Sequence, residues 1–370
     1  MRVQIVDPPA YTPPYDRCLC AALARRGADV ELITSPFAYG PVPPADNYRV
    51  REAFYRRSAA RPPGAPGRRA LKLAEHVSGM YRHRSNGASA DVVHYQWLPV
   101  PSLDSRLLPT GRPLLLTAHG ILRREAWRTR PPRSLQRVFA RMDAIITLSR
   151  YGAGRLAEAG VEADRIHVIP HGAFDYLTRV ADEVPLRGEL AATSGPVLLC
   201  FGLIRPYKGI DVLLEAFRSM RGAELWIVGR PLGVALESLR ALAERAPGRV
   251  RFVPRFIPDR EVAAYFRRAD VVVLPHRDEE QSGVLYAALA FGKPIVMSDV
   301  GGFGEVAAHG AGRLVPPGDP AALATAITAL LEDPTERERL GRASREAAEG
   351  PYSWDAVAAR TLALYEELGG

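Results

Sequence analysis

Short apolar runs alternate with amphipathic stretches along the whole chain, and that alternation leaves few folds open to it. The first series is RVQIV, DVELIT, DVVHYQW, PLLLTAHG, AIITLS and IHVIPHG; the second is VLLCFGLI, ELWIVG, VRFVP, VVVLP, PIVMSD and GRLVPP. Runs rich in Val, Ile and Leu, separated by helical patterns, mark strands buried on both faces of a parallel sheet. The two series match in order and length. The sequence therefore predicts an α/β fold of two doubly wound parallel-sheet domains in tandem. The predicted divisions are residues 1–178, a linker at 179–194, a second domain at 195–352, and a last helix at 353–368 that follows PYS. A Pro-, Gly- and Arg-rich stretch, RRSAARPPGAPGRRALKLAEH, reads as a mobile insertion in the first domain.

Length and composition agree with two cores. The chain has 370 residues, 47% hydrophobic and 24% charged, which is too apolar for a disordered chain. No apolar stretch approaches the roughly 18 residues of a membrane span, and Met1 leads straight into RVQIV, so a signal peptide is not expected. Cys18, Cys20 and Cys200 have neither metal spacing nor an even number for a disulfide framework. A reduced, cytoplasmic protein is the expectation. Net charge is uneven: residues 1–180 hold 27 Lys and Arg against 15 Asp and Glu, and the remainder 22 against 26. Such asymmetry points to an anionic ligand or surface near the first half. Only Lys72, Lys208 and Lys293 among the 49 cations are lysine, a bias that weakens arguments from the arginine count.

Three stretches carry chemistry. In FGLIRPYKGIDVLLEAF an apolar run ends at Gly202, and Arg205 and Lys208 sit in a short turn before an amphipathic helix. Helix N-termini at the carboxyl ends of parallel strands attract anions and repel cations. Two cations there make sense if a phosphate lies between them: Arg205 forks onto it and Lys208 adds a compact charge. Gly202 and Gly209 would let the backbone approach. The alternative is a pair of solvated loop cations. In VVVLPHRDEEQSGVLYAALAFGKPIVMSDVGG, the backbone N–H groups of Ser282, Gly283 and Val284 open a second anion-receptive helix. Glu279 and Glu280 beside it can accept sugar hydroxyls, or serve as ordinary helix-start acids. In LLLTAHGILRREAW, His119 follows a buried strand, either as a functional side chain or as a structural histidine.

The ordered set GLIRPYKGIDVLLEAF, FIPDREVAAYFRRADVVVLPHRDEEQSGV, AFGKPIVMSDVGG, GAGRLVPPGDPAALATAI and YSWDAVAARTLALYEE resembles the family 4 glycosyltransferases. That family consists of retaining, nucleotide-sugar-dependent enzymes with the GT-B arrangement of two Rossmann-like domains facing a central cleft. The resemblance implies that Arg205 and Lys208 hold the donor diphosphate, and that backbone near Phe256 and Ile257 lines the base. It implies that Glu280 (or Glu279, depending on a gap) contacts the donor sugar and that His119 lies beside the transferred sugar. The last helix would cross back onto the first domain. Two departures stand out. The family's second glutamate, which binds ribose, is replaced by Ala287 or Ala288. Its glycine-rich first loop is replaced by PPAYTPPYDRCL, in which Tyr11, Thr12 and Tyr15 would shape the acceptor side.

No Asp-x-Asp pair occurs in the chain, so the expected mechanism needs no metal and no cofactor beyond the nucleotide-sugar donor. Arg205, Lys208 and the helix start at Ser282 would stabilise the leaving diphosphate. A front-face path is expected, because no nucleophile for double displacement stands out. The expected acceptor is a hydroxyl of a glycan, a lipid-linked sugar or a small molecule. RREAWRTRPPRSLQRVFARM, with Trp127 and Phe139, reads either as a solvated basic face or as a peripheral contact with anionic lipid at the inner face of the membrane. Rival readings are a non-catalytic nucleotide-sugar sensor, a glycan phosphorylase, for which no suitable lysine is evident, and a nucleic-acid binder. The last lacks a stacking platform or recognition motif, so no nucleic-acid partner is expected.

Overall fold

The computed structural model describes residues 1–369 apart from 38, 39, 41, 43, 63, 87–89 and 121–130. Two compact units are present: residues 1–172 with 354–370, and residues 173–353. The first carries seven parallel strands: β1 (Arg2–Val6), β2 (Asp29–Thr34), β3 (Arg49–Glu52), β4 (Val92–Tyr95), β5 (Leu114–Ala118), β6 (Ala144–Thr147) and β7 (Ile166–Val168). Their order is β3-β2-β1-β4-β5-β6-β7. The second carries β8 (Val197–Phe201), β9 (Glu224–Val228), β10 (Arg249–Val253), β11 (Val271–Leu274), β12 (Ile295–Ser298) and β13 (Gly312–Val315). These run β10-β9-β8-β11-β12-β13. Both sheets reverse their winding beside their first strand, at β1/β4 and at β8/β11. Such switch points leave a crevice beyond the strands' carboxyl ends.

Every apolar run read as a strand is one. The central strands are buried from end to end; Leu198, Leu199, Val271, Val272 and Val273 are each 0% exposed, so both faces must be apolar. The strand the sequence hid is β3. Its sequence, RVRE, has one apolar residue, because an edge strand needs charge more than burial. Arg51 Nε donates to Glu31 Oε1 across the pair at 2.8 Å.

Three expectations are corrected. The stretch read as a mobile insertion holds a short helix, Arg56–Ala59, and most of a longer one, Arg68–Asn86. Its Pro and Gly residues cluster in the turn between them. His76 and Met80 anchor the longer helix at 1% and 0% exposure. The stretch 179–194 belongs to the second unit, where Leu186 and Leu190 pack on the core around Trp226. Phe139, read as a lipid contact, is 4% exposed in the first core; Trp127 lies outside the described residues.

The helix Trp354–Gly369 joins the first unit. Its Trp354 ring lies where a Cβ on Gly172 would intrude to 2.4 Å, so only glycine fits there. Arg25 pairs with Asp355 at 3.1 Å on the same seam.

Candidate functional site

In the second unit the loops after β8 and β11 meet at the switch point. Gly209 has φ 64°, and a Cβ on it would stand 1.9 Å from the Pro275 carbonyl oxygen. Glycine is therefore required twice over, by conformation and by close approach. Arg277 N donates to Tyr207 O at 2.8 Å, and the Arg277 guanidinium grips Asp211 at 2.5 and 2.6 Å. This brace places Lys208, 8% exposed, with Nζ 2.8 Å from Glu279 Oε2 and 3.5 Å from Ser282 Oγ.

Arg205 is held differently. Its Nε is buried without a hydrogen-bond partner, and its guanidinium carbon lies 6.0 Å from the Tyr207 ring centre. Among the described residues no carboxylate pairs with it. Ser282 caps the helix Gly283–Ala290 without a side-chain bond to it. Gly283 is exposed, and no described acceptor takes the N–H of Gly283 or Val284. A half-buried guanidinium with a buried, unanswered Nε–H and a bare helix start together form a receptor for an anion.

The acidic loop is pinned from behind. A Cβ on Gly301 would reach 2.0 Å from Glu279 O, and Gly302 N donates to Glu280 O at 3.1 Å. Glu279 pairs with Lys208, while Glu280 stands half-buried beside it. Gly202 (φ 105°) faces Val284, whose Cγ2 a Cβ would approach to 2.9 Å. After β10, Phe256 is 38% exposed and Ile257 is 7% exposed; the Phe256 carbonyl accepts from Arg255 at 3.2 Å. Ala287 and Ala288, where the resemblance would place a ribose-binding glutamate, are buried at 5% and 0%. Sequence reasoning missed His276 and Arg230. His276 is 2% exposed, with Nδ1 lacking a partner; burial, with Lys208 nearby, holds its pKa well below the usual value. Arg230 follows β9, beside the bridge from Ile204 to Pro231. Its one signal in the sequence is a cation just past an apolar run.

The first unit builds its switch point from neutral groups. His119 Nε2 lies 2.7 Å from Gln96 Oε1. The ring stacks on Trp97 at 5.5 Å and meets Tyr15 edge-on at 4.6 Å. Burial, then the neighbouring His171 and His94, push its pKa well below the usual value, so the ring is neutral. Trp97 Nε1 donates to Thr12 Oγ1 at 3.0 Å, and Tyr11, 59% exposed, leans edge-on against Trp97 at 5.4 Å. Tyr11 and Thr12 thus lie at this face. Tyr15 does not: it is 3% exposed among His119, His171 and Trp354, because the first turn of its helix points it inward. It supports His119 from below.

Beneath the same loop lie Asp7 and Asp16, at 0% and 1% exposure. Thr12 N donates to Asp7 Oδ2 at 3.3 Å, and Asp7 Oδ1 has no partner. Burial raises Asp7 to about 6. Burial and the charge of Asp7 raise Asp16 well above the usual range. Two carboxyls so placed share a proton. Among the described residues, no three His, Cys, Asp or Glu side chains gather as metal ligands, and no helix is long and apolar enough to cross a membrane.

Residues 17–173 match the family model described as Glycosyltransferase Family 4, and residues 195–333 that described as Glycosyl transferases group 1. A D-inositol 3-phosphate glycosyltransferase from Xylanimonas cellulosilytica is 32% identical over 94% of this chain and 89% of its own length. A phosphatidyl-myo-inositol mannosyltransferase from Mycobacterium leprae is 40% identical over 44% of each chain. The structure of Anabaena HepE in complex with UDP-glucose superposes with a TM-score of 0.74 at 20% identity, covering 100% of both chains.

Proposed function

Because this chain belongs to glycosyltransferase family 4, we propose that it moves a hexose from a nucleoside-diphosphate sugar to a ring hydroxyl, with retention and without a metal ion. The observation that carries this reading is the anion receptor of the second unit. Among the described residues no carboxylate pairs with the Arg205 guanidinium, whose Nε is buried without a partner; Lys208 stands beside Ser282, and the start of Gly283–Ala290 has no side-chain cap. When the anomeric C–O bond breaks, negative charge gathers on the leaving diphosphate. Fixed cations and N–H dipoles stabilise that charge without reorganising, and the loss of one such donor costs about 3 kcal/mol of barrier. Glu279 pairs with Lys208 at 2.8 Å; an arriving diphosphate competes for the ammonium, and Glu280, next in the chain, takes sugar hydroxyls.

On the acceptor side, Tyr11 and Trp97 offer aromatic faces beside His119, a surface suited to the apolar face of a sugar or cyclitol ring. Inositol derivatives appear in the names of both relatives and are the first acceptors to try. A thermal-shift screen against UDP-, GDP-, ADP- and TDP-hexoses tests the donor, since a ligand bound only by the native state raises apparent stability. One sugar nucleotide should shift the wild type and leave Arg205→Ala unmoved. Equal shifts in both proteins would remove the assignment.

A peripheral membrane contact belongs to the same proposal, supported by the helix Arg68–Asn86. Leu73, Val77 and Tyr81 follow one another at four-residue spacing on its outer face and are 46%, 37% and 63% exposed. Between residues 56 and 84 stand Arg56, Arg57, Arg61, Arg68, Arg69, Lys72, Arg82 and Arg84, against Glu75 alone. An apolar stripe edged by arginines suits an anionic bilayer surface. Equal flotation with neutral and anionic vesicles would rule this contact out.

A further inference from the structure

A continuous run of hydrogen bonds in the first unit joins the C-terminal helix to His119. Tyr365 Oη lies 2.6 Å from His94 Nδ1. His94 Nε2 lies 2.7 Å from Thr117 Oγ1 and 3.4 Å from one end of the Gln96 amide. The other end of that amide lies 2.7 Å from His119 Nε2. Tyr365, Thr117 and Gln96 are 0% exposed and His94 is 1% exposed, so bulk water does not complete the set. Burial holds the His94 pKa down at about 3, and His119 is neutral for the reasons given above.

Two settings of the hydrogens keep both rings neutral and let the Gln96 amide bond to each of them. In the first, His94 donates from Nδ1 to Tyr365, Gln96 turns its oxygen to His119, and His119 carries its proton on Nε2. The phenolic hydrogen of Tyr365 is then buried without an acceptor, because among the described residues its only hydrogen-bond neighbour is His94 Nδ1. In the second, Tyr365 donates to His94 Nδ1 and His94 donates from Nε2 to Thr117. The Thr117 hydroxyl in turn lies near enough to Tyr15 to donate toward its oxygen. The amide then faces its oxygen to His94 and its NH2 to His119 Nε2, which must accept. His119 carries its proton on Nδ1. The two ends of an amide have the same shape and differ only in hydrogen bonding, so the network decides which way it points. An unsatisfied buried donor is expensive, and the second setting gives the phenolic hydrogen of Tyr365 its acceptor.

We propose that Gln96 is a positioning residue: set by Tyr365 through His94, it holds His119 in the Nδ1–H tautomer, so that the open side of the ring donates to a sugar oxygen. No described residue takes the Nδ1 proton, so that donor is available. The choice suits a sugar that gains positive character as its anomeric bond breaks, since a neutral donor orients it without repelling it. This rests on the reading of His119 as part of glycosyl transfer, and it ties that ring to the last helix of the chain.

Gln96→Glu tests it, because an ionised carboxylate only accepts and would force the proton onto Nε2. Long-range 1H–15N spectra of the ligand-free full chain should show Nδ1–H for His119 in the wild type and Nε2–H in Gln96→Glu at pH 8. The variant's turnover should fall on the order of tenfold to a hundredfold with little change in donor KM. It should recover as the pH drops, because a protonated carboxyl donates again; the wild type should show no such recovery. Tyr365→Phe, which removes the directing hydrogen, should give a mixture of tautomers even if Gln96→Glu folds poorly. An Nε2–H wild type, or a Gln96→Glu protein with unchanged tautomer and rate, would overturn the proposal. The tautomer is read without substrate, so it stands apart from the functional reading: failure of every sugar nucleotide to bind would sink that reading and leave the spectra untouched.

Discussion

At the switch point of the second sheet an ammonium and a carboxylate lie 2.8 Å apart beside a guanidinium with a buried, unanswered donor. At the same topological place in the first sheet stand an imidazole, an amide, an indole and a phenol, joined by hydrogen bonds and ring contacts. One winding pattern thus presents two chemistries. Parallel strands fix where loops emerge, and the few side chains at strand ends decide whether the place is ionic or neutral. Ionic sites respond to salt and to loss of charge. Neutral networks respond to loss of a single directed hydrogen.

The strongest test of that contrast is to remove charge from the second unit. Arg205→Ala or Lys208→Ala should cost turnover about a hundredfold or more while leaving the stability of the first unit unchanged; wild-type rates in both purified variants would end the assignment. Backbone change comes next. Gly209→Ala forces a Cβ to within 1.9 Å of Pro275 O at φ 64° and should cost about 2–4 kcal/mol in denaturant titration, with donor affinity lost alongside. Retained stability would mean that the two loops part easily.

A pH test addresses the first unit. Asp7 titrates near 6 when folded against an ordinary 3.8, so between those values the native chain keeps a proton that the unfolded chain has released. Stability therefore falls as pH rises through that window, by about 3 kcal/mol at most for Asp7 alone. Asp7→Asn should melt higher than wild type at pH 7.5 and no higher below pH 4; a constant difference would show that the carboxyl pair does not share a proton. The smallest effect is expected from Glu279→Gln. Freeing Lys208 of its competing carboxylate should tighten nucleoside-diphosphate binding several-fold in calorimetry, and weaker binding would place Glu279 on the ligand instead.

The residues legible in the sequence share a trait: each belongs to a local pattern. Arg205 and Lys208 stand out because a cation pair at a helix mouth conflicts with the dipole, and every buried strand announces itself as an apolar run. The residues that escape such reading depend on distant partners. Gln96 resembles the polar end of any strand, and gains its role only from His94 and His119 on either side, two and 23 positions away. Tyr15 has the look of an available loop residue, yet Trp354, from the far end of the chain, packs against it. Glu279 and Glu280 are indistinguishable as neighbours in a loop, and only the reach of Lys208 separates them. β3 hides because an edge strand carries charge where a central one carries Val.

Periodicity and turn chemistry are enough to specify two doubly wound units, their strands, and a phosphate-like receptor after β8, since each of these arises from contacts among residues close in sequence. Where the chain passes from one unit to the other, which carboxylate answers Lys208, and which way Gln96 directs its hydrogens are settled by packing between segments as far apart as His94 and Tyr365. Burial converts such meetings into obligations: once water is excluded, each polar atom must find its partner among whatever side chains the fold has brought near.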